Sequence, residues 1–251
     1  MMNSILSVSN LNFKYNAVEV LKDISFDIYP EDYIGLVGNN GSGKTTLVKV
    51  ILGLLKPYTG SISLFGQVPE QFHGWDKVGY MPQNLSLFNP IFPATVEEVI
   101  SLGILSKKRF PKRINDRDKK TVNEVLDRLE ITNLKYQLVG NLSGGQQQRI
   151  FLAQAIITKP ELLILDEPGN SLDPAANERF FSILDDMNKN HKTTIILITH
   201  DIGQIGEYAN KLLYINQKII FYGSFVDFCK SPEISKLFGV NTQHIICHQH
   251  N

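Results

Sequence analysis

Short apolar and β-branched runs alternate with helical spacings along most of this chain, the grammar of an α/β fold. Leu6–Phe13 and Ile24–Ile28 read as strands of a meander near the start. Tyr33–Val37 reads as a short apolar strand running into Gly38-Asn39-Asn40-Gly41-Ser42-Gly43. A helix is predicted from Lys44 to about Leu55, stopped by Lys56-Pro57. Leu162–Leu165 and Thr194–Thr199 are uninterrupted apolar runs, as central parallel strands buried on both faces require. From about Asn84 to Asn141 the texture changes. Asp116–Leu129 places Val122, Val125, Leu126 and Leu129 at helical spacing, and no strand is predicted in that stretch. It reads as a helical subdomain inserted into the α/β core, and its dense basic run Lys107–Arg113 reads as a solvated loop in preference to a contact with lipid headgroups.

Composition narrows the classes. A chain of 251 residues can form one large domain with a subdomain. Its 25 Lys and Arg balance 25 Asp and Glu, so no global field draws it to nucleic acid, and no nucleic-acid partner is expected. Two cysteines, Cys229 and Cys247, form no CxxC pair and no disulfide-like framework, a usage that suits a reducing cytosol. The first dozen residues lack the basic and apolar regions of a signal peptide. The apolar runs fall far short of a bilayer span, so action at a membrane would need a partner.

Chemistry enters at Gly38-Asn39-Asn40-Gly41-Ser42-Gly43-Lys44-Thr45-Thr46, which satisfies the phosphate-loop pattern. The glycines let successive backbone N–H groups face phosphates, and the next helix presents its positive end. Lys44 would meet the β- and γ-phosphates, and the Thr45 hydroxyl would ligate Mg²⁺. Leu162-Leu163-Ile164-Leu165-Asp166-Glu167 delivers acids at the end of an apolar strand. Asp166 would serve the Mg²⁺ shell and Glu167 would orient and deprotonate the attacking water.

Leu142-Ser143-Gly144-Gly145-Gln146 supplies a second anion-receiving helix end, with Ser143 as the cap and two glycines in the first turn. One nucleotide does not need two such ends from one chain. At these residues the sequence resembles the ABC ATPases, whose LSGGQ signature contacts the ATP bound to an opposite subunit. The resemblance covers about residues 4–237, leaving 238–251 as a tail. It implies that Tyr15 stacks on adenine, that Gln83 is the Q-loop glutamine touching Mg²⁺ and water, and that His200 contacts the γ-phosphate. It also implies that Asp173 belongs to a loop crossing a homodimer interface. Ser171 and Gly169-Asn170 depart from the family pattern there, which bears on interface geometry.

The fold implied is an α/β P-loop NTPase core with an antiparallel β subdomain and a helical subdomain at about 84–141. The cofactors implied are ATP and Mg²⁺. The partners implied are a second ATPase subunit and an integral membrane permease, which would hold the chain at the cytoplasmic face of the membrane. Phe92-Pro93 followed by Ala94-Thr95-Val96 resembles the zinc and manganese importer ATPases, implying a divalent-metal cargo and an extracytoplasmic metal-binding protein. His244, Cys247, His248 and His250 are ligand types that suit zinc, although their spacing matches no recognised finger. Two rivals stand beside transport of a metal: an ABC ATPase for a non-metal cargo, and a soluble ABC ATPase such as one serving iron–sulfur assembly. A non-enzymatic module on the same fold is disfavoured, since Lys44, Asp166, Glu167 and His200 are all present.

Overall fold

The computed structural model describes residues 3–83, 93–169, 174–200 and 202–231. Its strands are β1 (Leu6–Tyr15), β2 (Val18–Ile28), β3 (Tyr33–Val37), β4 (Thr59–Leu64), β5 (Val78–Met81), β6 (Leu162–Asp166), β7 (Thr194–Thr199), β8 (Lys211–Asn216) and β9 (Lys218–Ser224). Its α-helices are α1 (Lys44–Ile51), α2 (Val96–Ile104), α3 (Asp116–Arg128), α4 (Gly144–Ile156), α5 (Pro174–Lys189), α6 (Ile202–Gly206) and α7 (Phe225–Lys230). The chain divides into two compact units, residues 1–73 with 184–251, and residues 74–183.

In the first unit β1 pairs antiparallel with β2 and β4 in the order β2-β1-β4, the antiparallel subdomain expected near the start. The two meander strands are longer than their apolar cores. Register shifts at Val8/Leu11 and Leu11/Phe13 break the alternation that would have marked them as one hairpin. Asn10 and Asp23, both at φ 47°, occupy these irregular stretches, and the Asn10 N–H donates to Ser25 Oγ at 2.8 Å. Beside this sheet, β3 lies between parallel neighbours β7 and β8, and β9 pairs antiparallel with β8. Every residue of β3 is buried, as is β7 except its last, which fits strands covered on both faces.

The helix after the phosphate loop ends earlier than Lys56-Pro57 would have it. Gly53 adopts φ 69° and the Leu54 N–H turns back to the Lys49 carbonyl at 2.8 Å, a left-handed stop that satisfies the final carbonyls. Cys229, on α7, is disulfide-bonded, a departure from the free thiols expected, and no spacing motif announces it.

The second unit contains the parallel pair β5–β6 and the helices α2, α3 and α4. Both α2 and α3 open with capping boxes. The Thr95 side chain accepts from the Glu98 N–H while Glu98 accepts from the Thr95 N–H, and Asn115 and Asp118 repeat the arrangement. Among the described residues of 93–141, helices and single 3₁₀ turns account for the regular structure, apart from one isolated bridge between Thr95 and Leu138. No helix among the described residues is long and apolar enough to cross a membrane.

Candidate nucleotide site

Strand register places the candidate groups of the first unit. Val37 on β3 lies opposite Thr199 on β7, so Gly38 and His200 leave adjacent parallel strands at the same level. This is the carboxyl edge, where open α/β sheets receive ligands. The loop from Gly38 to Gly43 then turns into α1. Gly43 caps that helix at φ 102°, and a Cβ there would stand 2.7 Å from Leu21 Cδ2 and 3.0 Å from the Val20 carbonyl oxygen. Only glycine fits both the angle and the space. The Ser42 N–H donates to the Asn39 carbonyl, and the Ser42 carbonyl accepts from Gln217, tying the loop to the β8–β9 turn.

Lys44 is 6 % exposed, and its ammonium donates to the carbonyls of Gly38 at 2.7 Å and Asn39 at 3.1 Å. The loop is thus closed around its own cation. Asn39, Asn40 and Gly41 are exposed at its tip, while Thr45 and Thr46 are half-buried in the first turn of α1. Ser42 Oγ is buried without a hydrogen-bond partner among the described residues, a polar group suited to a bound phosphate. His200 is exposed at the end of β7. Tyr15, 46 % exposed at the end of β1, packs edge-on against Phe13 at 4.9 Å and is no strand-core residue. An exposed ring face is what stacking on a base requires.

The second unit carries candidate groups of its own. Met81 on β5 lies opposite Leu165 on β6, so Gln83 and Glu167 emerge together. Gln83 Nε2 donates to Glu167 Oε2 at 2.7 Å. Asp166, the last residue of β6, is 1 % exposed, whereas Glu167 is half-buried with its backbone at φ 50°. A side chain in that left-handed region is held by its surroundings. Burial, and after it the charge of Asp166, pushes the Tyr80 phenol up to about 12. Neither the Gln83–Glu167 contact nor the positive φ of Glu167 was legible in the sequence, where Gln83 only follows Pro82 and Glu167 only precedes Pro168.

Ser143 is the N-cap of α4. Its side chain accepts from the Gln146 N–H at 3.4 Å, and Gln146 Oε1 accepts from the Ser143 N–H at 2.9 Å, a reciprocal box. Gln147 Nε2 braces the approach through the Val139 and Leu142 carbonyls. Leu142 is buried beneath the cap, while Ser143 and Gly144 are exposed and Gly145 and Gln146 half-buried. The helix end therefore faces outward fully formed. Asp173 and the tail residues His244, Cys247, His248 and His250 lie outside the described residues.

The family described as "ABC transporter" matches residues 21–170, a span that includes the phosphate loop, the capped α4 and the acids ending β6. The chain belongs to the ABC transporter family. It is an ATP-binding subunit and an ATPase. Among curated relatives, this ABC ATPase is 42 % identical over 223 residues to the zinc uptake system ATP-binding protein ZurA of Listeria innocua, covering 89 % of this chain and 87 % of that one. It is 33 % identical over 240 residues to the manganese transport system ATP-binding protein MntB of Halalkalibacterium halodurans, covering 96 % and 94 %. A solved ABC transporter in an inward-facing conformation is 30 % identical with a TM-score of 0.80, covering 94 % of this chain and 89 % of that one. The α/β fold with its antiparallel β subdomain and helical elements is that of the ABC ATPases.

Proposed function

We propose that this subunit powers uptake of a divalent transition metal, zinc or manganese, through a separate membrane permease that holds it at the cytoplasmic face. The observation that carries the cargo is the 42 % identity to a zinc uptake ATP-binding protein across 89 % of the chain. The Phe92-Pro93-Ala94-Thr95-Val96 stretch supports the same reading. An extracytoplasmic metal-binding protein would deliver the ion. Removing the chain from metal-starved cells should lower their zinc or manganese content. Normal content of both would overturn the cargo assignment and leave the ATPase intact.

The subunit acts as a homodimer. Each composite site pairs Lys44, Glu167 and His200 of one chain with Ser143 and Gly145 of a second copy. Support comes from two formed helix ends in one chain, α1 behind the phosphate loop and α4 behind its serine cap, each suited to an anion. Lys44 and the loop amides hold the phosphates, Tyr15 the adenine, and His200 the γ-phosphate. Glu167 takes the proton of the attacking water, oriented by the amide of Gln83. The loop residues Asn39, Asn40, Gly41, Ser42, Thr45 and Thr46 complete the cradle, and Asp173 contributes to the dimer contact.

Mg²⁺ fits the donor set. Thr45, Asp166 and Gln83 offer only oxygens to a cation, the preference of a hard ion. The Gln83 amide N–H is already engaged by Glu167, which leaves its carbonyl oxygen as the group for metal or water. When bound, the ion offsets charge on the β- and γ-phosphate oxygens. A tail zinc site at His244, Cys247, His248 and His250 is a separate proposal. A chain truncated after Val240 should lose one zinc equivalent, measured with a thiol reductant present so that a cysteine ligand is available. Equal zinc in both chains would remove it.

A further inference from the structure

Five of the seven residues from Lys107 to Arg113 are basic, and the structure divides them into two groups. Lys107 donates to the Thr158 carbonyl, and Lys108 pairs with Asp118 at 2.5 Å. That carboxylate also accepts from the Asn115 N–H, so both lysines act as internal ties of the second unit. Arg109, Lys112 and Arg113 are exposed, and no acid among the described residues pairs with them. Between them Phe110 stands 94 % exposed, the most exposed of the large apolar side chains among the described residues. A single exposed ring needs no explanation by itself; what sets this loop apart is that the ring is flanked in sequence by three exposed cations.

We propose that this tip, Arg109-Phe110-Pro111-Lys112-Arg113, docks on the anionic surface of a lipid bilayer. The cations meet lipid phosphates and the Phe110 ring enters the boundary beneath them. The chemistry is layered: delocalised negative charge outermost, with apolar material behind it. An exposed loop with one apolar ring and flanking cations matches that layering. A protein partner would need a shaped surface of roughly 800 Å² on each side, more than five residues at a tip provide. The chain as a whole carries a formal charge of 0, so the attraction is confined to this loop and falls off within about 8 Å at physiological salt. A bilayer within reach rests on the permease-docked reading, but lipid binding is measured without permease, nucleotide or cargo, so its failure would leave that reading standing.

The test uses the full chain and flotation with two vesicle preparations, phosphatidylcholine alone and equal parts phosphatidylcholine and phosphatidylglycerol. Each cation near an anionic surface contributes roughly fivefold, so three give a preference for the anionic vesicles of about a hundredfold. Added salt should erase it. Replacing Arg109, Lys112 and Arg113 together by Gln should abolish the preference, and Phe110→Ser should weaken binding by roughly tenfold, the scale for a ring partly leaving water. ATPase activity in solution should be unchanged in both variants. A Phe110→Trp chain, with the single native Trp75 changed to Phe, gives a direct readout: its emission should shift to the blue with anionic vesicles only. Equal flotation with both vesicles, or unshifted emission, overturns the proposal. So does vesicle binding that the tip variants leave intact. If vesicles are ignored and the tip variants instead lose a copurifying permease, the tip belongs to an acidic protein face and the lipid assignment is wrong.

Discussion

Replacing Glu167 in turn by Gln, Ala and Gly separates two things the structure asks of that residue. The side chain, the proposed base, accepts a hydrogen bond from Gln83 at 2.7 Å, and the backbone sits at φ 50°. Glutamine keeps an acceptor for the Gln83 amide and loses the proton-accepting carboxylate. Turnover should fall by roughly two to four orders of magnitude, the scale for losing a positioned base. ATP binding should persist, and gel filtration with saturating ATP should show a stable dimer. Alanine and glycine both lose the hydrogen bond as well, so their difference isolates the backbone. The left-handed conformation costs a residue with a Cβ about 1–2 kcal/mol. Glycine escapes that but loses roughly 0.5–1 kcal/mol more conformational freedom on folding. The Gly variant should therefore be more stable than the Ala variant by about 0.5–1 kcal/mol, a melting shift of roughly 1–4 °C for a chain of this size. Thermal unfolding without nucleotide reads the difference. An Ala variant as stable as the Gly variant would refute the strain, and a Gln variant with wild-type turnover would refute the base.

Gly43→Ala should destabilise the chain by at least about 1–2 kcal/mol and abolish ATP binding, read by melting and nucleotide titration, since its φ of 102° and the 2.7 Å approach to Leu21 both exclude a Cβ. Undiminished ATP affinity would mean that the loop adapts. Ser143→Arg should leave ATP binding by one chain intact and stop hydrolysis, and mixing it with a Lys44→Ala chain should restore ATP-dependent dimers through one unmutated composite site. No more dimer in the mixture than in either variant alone would count against sites shared between chains. Below the ordinary carboxylate range, α2 should fray. The Thr95 N–H, and then its hydroxyl, hold Glu98 below its usual value, so the cap's contribution is present above the unfolded pKa and is lost as pH falls through the depressed folded one. Hydrogen exchange at the first amides of α2 reads this, and Glu98→Gln should flatten the acid dependence.

The chemistry-bearing elements were legible because each sits where an apolar run ends. Tyr33–Val37, Leu162–Leu165 and Thr194–Thr199 are continuous enough to be read as buried strands, and Gly38, Asp166 and His200 follow directly from them. Ser143 was legible as a cap because it stands directly before two glycines and an apolar helical run, and the structure adds Gln146 as the second half of the box. The strands β4, β5, β8 and β9 were not singled out. Thr59–Leu64 begins with three exposed polar or glycine residues, and Lys218–Ser224 is half-buried nearly throughout, so neither shows clear alternation. The end of α1 was misplaced because a proline is a louder signal than Gly53, which stops the helix first. The pairing of Gln83 with Glu167 joins residues 84 positions apart through the register of two strands, and local spacing carries no trace of it.

The cap on α4 separates what folding tolerates from what the proposed contact with a second subunit's phosphate would tolerate. Ser143 Oγ is engaged as an acceptor by the Gln146 N–H, and this leaves the hydroxyl proton for a second acceptor. A library screened for folded protein would keep Asp and Asn at this position as readily as serine, since all three cap well. Asp would then present a negative charge to an incoming phosphate, and that subset of well-folded chains would be inactive. A melting curve is therefore blind to the proposed role of this serine, and only a library sorted on turnover would reveal which residues can fill it.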